Sequence, residues 1–216
     1  MIVNDTVTGI IAIIIGYLLG SIPSVYIAAR LTTGKDIRKM GGGNVGGLNL
    51  YREVGPWPAL PAGIADLSKG AAAVAIAYWL LDLPPHFVLL AGLAAVVGHN
   101  WMVWLKFSGG KGMGATFGAL AVLFPVYGYW QGLLIFIGII LIPMIITRNV
   151  ALSMGVGLVA LPFIIWLGMN SGIGIIISVI LGLIIAMKFL PTARAAWAKA
   201  GNKRDFIFDH WQREKR

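Results

Sequence analysis

The sequence predicts an all-α integral membrane protein with seven transmembrane helices, the N-terminus outside, the C-terminus cytoplasmic, and glycine-rich loops on the inner face. Three observations lead there. The 216-residue chain is 58% hydrophobic and only 12% charged, about half the charged fraction of an ordinary soluble domain. Its apolar runs are too long and too closely spaced for one soluble core, and lipid demands internally satisfied backbone groups, which selects helices. Its basic residues fall in clusters between those runs. The formal charge of +9 therefore reads as membrane topology and attraction to anionic lipids, with no nucleic acid as partner. No cysteine occurs, which excludes disulfide and thiol chemistry.

The first span covers Val7 to Leu31. Asp5 rather than a basic run precedes it, and no small-residue cleavage site follows, so it reads as a retained span and not a signal peptide. Arg30, Lys35, Arg38, Lys39 and Arg52 form the first basic cluster, Lys106 and Lys111 the second, Arg148 a third, and Lys188 to Arg216 the last. If the clusters share the cytoplasmic side, an even number of spans separates neighbours. Each interval holds two. Pro58 to Leu105 turns at Asp82-Leu-Pro-Pro-His86, Met113 to Thr147 turns near Tyr127 to Gln131, and Asn149 to Met187 turns at Gly168 to Gly172. None of these turns carries Lys or Arg. The stretch from Met113 to Gly128 is short for a hydrocarbon core that needs about 20 helical residues. No repeat or low-complexity linker divides the chain, so it is expected to be one transmembrane domain, 1–216. Its tail, 191–216, alternates aromatic and basic residues like an amphipathic helix on the inner surface.

Several constellations between these spans could carry chemistry. Gly41, Gly42, Gly43, Gly46 and Gly47, with Asn44 and Asn49, lie between Arg38 and Arg52. Such a loop can turn its N–H groups into one concavity while arginine forks meet phosphate oxygens; the alternative is a flexible loop obeying topology. Ser21 and Ser24 flank Pro23, a residue that breaks an apolar helix; the serines either serve a site or bond their own helix backbone. Asp66 and Lys69 sit at i, i+3 within a span, where opposite charges neutralise each other and are costly unless used. Gly109-Gly-Lys111-Gly is a second glycine-rich nest, but the full G-x-x-x-x-G-K-[ST] is absent, which argues against a nucleoside triphosphatase. His99 reads as a base or, with no carboxylate neighbouring it in sequence, as a satisfied intramembrane histidine. No His, Asp or Glu spacing suggests a metal site, and no cofactor is implied.

Gly20-Ser-Ile-Pro-Ser24, Asp36-Ile-Arg38, Gly41-Gly-Gly-Asn44-Val-Gly46 with Asn49, Arg52 with Gly55, Asp66-Leu-Ser-Lys69-Gly70, Gly98-His99 and Phe107-Ser-Gly-Gly-Lys111-Gly112 occur in that order. In this the chain resembles the bacterial membrane glycerol-3-phosphate acyltransferases that use acyl phosphate as donor (the PlsY type). It departs where Gly42, Gly47 and Leu48 replace the family's serine, alanine and threonine, and where Met187 to Pro191 stand in place of a closing H-R-x-N motif.

The resemblance implies transfer of a fatty acyl group from acyl phosphate to the 1-hydroxyl of glycerol 3-phosphate, the first step of phospholipid synthesis, in a bacterial inner membrane. It makes Arg38 and Lys111 the phosphate clamps and Ser21 the residue orienting a substrate hydroxyl or phosphate. Asn44 and the amides of Gly41, Gly42, Gly43, Gly109 and Gly110 complete the nests, and Asn49, Arg52, Asp66, Lys69, His99 and Lys188 support them. The departures keep two other readings open: a divergent paralogue acylating another polar acceptor, and a non-catalytic lipid-binding or transport protein.

Overall fold

The computed structural model describes residues 2–199, which contain nine α-helices: α1 (Ile2–Ser21), α2 (Ser24–Thr33), α3 (Gly47–Glu53), α4 (Pro56–Ala75), α5 (Pro85–Asn100), α6 (Met113–Val126), α7 (Trp130–Thr147), α8 (Val150–Met169) and α9 (Gly172–Lys199). Five helical stretches are long and apolar enough to cross a membrane: Asp5–Thr33, Pro56–Leu80, Trp130–Thr147, Val150–Met169 and Gly172–Ala195. The first joins α1 and α2 across the break at Pro23, and the second joins α4 to a wide helical turn at Ile76–Leu80. Two further apolar helices, α5 and α6, are shorter than these, and the expected turns fall where the helices stop.

Contacts divide the chain into two units, Met1–Gly128 and Tyr129–Arg216. In the first, α1 packs on α5 and α4 packs on α6. Small residues make both seams. Gly16 and Gly20 lie against the carbonyls of Ala91 and Ala95, and Gly98 against that of Tyr17. On the other seam Gly118 meets the Leu67 carbonyl and Gly70 that of Ala115. A side chain at these glycines would hold the backbones apart, and close backbone approach is the main source of cohesion between helices surrounded by lipid.

The second unit is α7, α8 and α9, with α8 against both neighbours. Of the stretch expected to form the tail, 191–199 continues α9, which runs through Pro191 to Lys199. Pro191 has no N–H to donate, yet the helix continues past it. The rest of the tail, 200–216, lies outside the described residues.

Candidate active site

At one end of the first unit, the segments between α2 and α3 and between α5 and α6 meet over a small apolar cluster. Val25 and Ala29 of α2, Ile37, Val45, Leu50 of α3, Ala62 of α4, Met102 and Leu105 are all buried in it. Water is excluded below the loops, so polar groups buried against this floor need protein partners.

Asp36 begins the first loop. Its Oδ1 accepts from the Arg38 backbone N–H at 3.0 Å and caps the 3₁₀ turn Ile37–Lys39. The Arg38 side chain returns to the same carboxylate: Nε donates at 3.0 and 3.2 Å, and Nη2 donates to Oδ2 at 2.7 Å. The guanidinium pulls the Asp36 carboxyl down to about 2, and the carboxylate in turn raises Arg38. Nη1 of Arg38 donates to the Leu105 carbonyl at 3.4 Å, tying the first loop to the second.

Buried Asn49 staples the glycine run. Its amide donates to the carbonyls of Met40 (3.1 Å), Asn44 (3.0 Å) and Ile37 (3.4 Å), and its Oδ1 accepts from Gly42 N–H at 3.0 Å. Gly41 and Gly43 take φ of +49° and +69°, conformations costly for other residues.

The second loop folds back through a bridge between Met102 and Ser108. Gly110 N–H donates to the His99 carbonyl at 3.0 Å, and Val45 N–H donates to Gly109 O at 3.3 Å, which joins the two glycine runs directly. A side chain at Gly110 would strike the His99 ring. Lys111 follows, half-buried. Burial, and then the positive charge of Arg52, push its ammonium below the ordinary lysine value of 10.5. Arg38, Arg52 and Lys111 thus gather on segments in mutual contact.

Three amides of the expected nests are engaged within the loops. The amides of Gly42, Gly43 and Gly110 donate to Asn49, Met40 and His99, so they shape the loops. Gly41, Gly42 and Gly43 remain exposed, with Asn44 half-buried beside them. Ser21, the residue expected to orient a substrate hydroxyl or phosphate, comes next to α5. It is fully buried at the end of α1, with its Oγ donating to Gly98 O at 3.4 Å, a link between α1 and α5.

Beneath the loops lies a polar cluster that sequence separation concealed. Asp66 Oδ1 accepts from Lys69 Nζ at 2.6 Å and from Ser24 Oγ at 2.9 Å, and His99 Nδ1 stands 3.6 Å away. Asp66, Lys69 and His99 are 4%, 5% and 3% exposed, so each charge here needs its partner. His99 has no carboxylate neighbour in sequence, but α4 and α5 bring Asp66 to it in space. Lys188 lies half-buried on α9, in the second unit. Among the described residues, no group of three or more His, Asp or Glu side chains is placed to hold a metal.

Residues 10–199 match the family model described as glycerol-3-phosphate acyltransferase. The chain belongs to that family. It is 50% identical to glycerol-3-phosphate acyltransferase 1 of Dehalococcoides mccartyi over 94% of its own length and 97% of the relative's. Its identity to glycerol-3-phosphate acyltransferase 2 of Moorella thermoacetica is 38%, over 72% of this chain and 77% of that one. The crystal structure of PlsY, an integral membrane glycerol 3-phosphate acyltransferase, in its glycerol 3-phosphate form superposes with a TM-score of 0.76 at 22% identity. That match covers 88% of this chain and 92% of the other, and establishes the shared integral membrane fold.

Proposed function

We propose that this acyltransferase moves a fatty acyl group from acyl phosphate to the 1-hydroxyl of glycerol 3-phosphate, releasing lysophosphatidic acid and inorganic phosphate. The observation that carries the reading is the gathering of Arg38 and Lys111 on two touching loops, with Arg52 beside them on α3, over an apolar floor. Both substrates carry phosphate, and one carries a chain that belongs in lipid. Clustered cations beside apolar helices suit such a pair.

The substrate hydroxyl oxygen attacks the acyl carbonyl, the bond between that carbonyl and phosphate breaks, and the phosphate leaves with the electron pair. A substrate phosphate oxygen takes the hydroxyl proton. Arg38 and Lys111 hold phosphate charge, with Arg52 and Asn44 beside them, so positioning and electrostatic stabilisation are the main catalytic terms. Ser21, at the end of α1 with its Oγ on Gly98 O, orients a substrate hydroxyl or phosphate.

The reading includes a seven-span arrangement in a bacterial inner membrane, with both loops, Arg148 and the tail on the cytoplasmic face. The positions of the Lys and Arg clusters support it. Purified protein given palmitoyl phosphate should release phosphate at a rate that depends on glycerol 3-phosphate. Acceptor-independent release alone would overturn the acceptor assignment, and activity with an acyl thioester in place of acyl phosphate would overturn the donor.

A further inference from the structure

Tyr26, on α2, carries two guanidiniums. The Cζ atoms of Arg30 and Arg38 each lie 5.4 Å from its ring centroid, and Arg30 Nε donates to its hydroxyl at 3.1 Å. Arg30 reaches it from one helical turn away and also donates from Nη1 to Gly34 O at 2.8 Å. The tyrosine packs against the apolar cluster below the loops. Its ring is therefore seated from beneath and tied at its tip.

Arg38 is the residue this seat serves. The Asp36–Arg38 pair spans two positions of one turn, so it moves as a unit and cannot by itself place the guanidinium relative to the Lys111 loop. The contacts from other elements do that: the Tyr26 ring from α2 and the Leu105 carbonyl from the second loop. Asp36 occupies the Nε–Nη2 edge of the guanidinium. Among the described residues no carboxylate meets the Nη1–Nη2 edge; each of these nitrogens keeps a second N–H beyond its bond to Leu105 O or Asp36, and such an edge matches two phosphate oxygens.

We propose that Tyr26 is a positioning residue for phosphate recognition, holding Arg38 so that its Nη1–Nη2 edge meets the phosphate of glycerol 3-phosphate. This rests on the reading of Arg38 as a clamp. A long side chain immobilised before binding loses less rotamer freedom on binding, and a cation held over an aromatic face keeps that position without using a hydrogen-bond donor.

The test compares Tyr26→Phe, Tyr26→Leu, Tyr26→Met and Arg38→Ala, measuring kcat, KM for glycerol 3-phosphate at saturating acyl donor, and thermal midpoint. A contact made in ground and transition states alike acts on KM. Tyr26→Leu and Tyr26→Met should raise KM three- to tenfold with kcat within twofold of wild type. Tyr26→Phe keeps the ring and should stay within twofold in both. An unchanged KM in the Leu and Met variants overturns the proposal. So does an equal KM rise in the Phe variant, and so does a failure of both Leu and Met variants to fold, which would make Tyr26 a structural residue. If Arg38→Ala leaves KM unchanged, the clamp reading itself fails; if it raises KM while the Tyr26 variants do not, only the role of Tyr26 falls.

Discussion

Replacing Lys69 with methionine tests the buried cluster. The substitution keeps the length of the aliphatic stem and removes the ammonium that sits 2.6 Å from Asp66 Oδ1. The carboxylate is left 4% exposed, facing the neutral Ser24 hydroxyl and the His99 ring at 3.6 Å. Breaking one half of a buried ion pair costs about 3–5 kcal/mol. For a chain of this size, each kcal/mol moves the thermal midpoint by about 2–4 °C, so the midpoint should fall by about 6–20 °C. The double variant Asp66→Asn/Lys69→Met removes both charges while the new amide still accepts from Ser24. It should recover more than half of the loss, because the penalty arises from an unpaired charge and not from a missing attraction. Intrinsic tryptophan fluorescence on heating in detergent reads this directly, since the chain has 8 Trp. A Lys69→Met midpoint within about 2 °C of wild type, or a double variant no more stable than Lys69→Met, would refute the reasoning.

Three further outcomes are expected. Arg38→Ala and Lys111→Ala should each raise KM for glycerol 3-phosphate at least tenfold, since a charge-assisted phosphate contact is worth more than about 1.4 kcal/mol; steady-state kinetics at saturating acyl donor checks this. Burial and Arg52 lower the Lys111 ammonium from 10.5, so wild-type KM should rise with pH before an ordinary lysine would discharge, while Lys111→Ala should lack this alkaline limb. The Asp36 carboxyl is depressed to about 2 from 3.8. Its contribution to stability is therefore complete above 3.8 and lost as pH falls through about 2. Asp36→Asn should lower the thermal midpoint at neutral pH and flatten its decline across that window.

Much of the fold was legible because its causes are local. Uninterrupted apolar runs make helices when no water is available to the backbone, and Pro23, Asp82 to His86 and Gly168 to Gly172 mark where helices stop. The Asp66–Lys69 pair was equally legible, since i, i+3 residues share a helical face in any tertiary setting. The gathering of Arg38, Arg52 and Lys111 could be anticipated from two glycine-rich basic loops expected on one face.

What tertiary structure alone decided is which groups those loops leave unused. The Gly42 and Gly110 amides look available in sequence, but Asn49 and the His99 carbonyl take them once α3 and α5 are in place. His99 lies 33 positions from Asp66, and only α4 and α5 packing in the first unit closes that gap to 3.6 Å. Tyr26 shows the same limit. A tyrosine near the end of an apolar helix reads as an interfacial residue, and its pairing with Arg38 depends on the chain turning back at Gly34, whose φ is +70°. Helix formation and i, i+3 pairing follow from neighbouring residues, whereas partners brought together by a turn or a helix seam depend on every element between them.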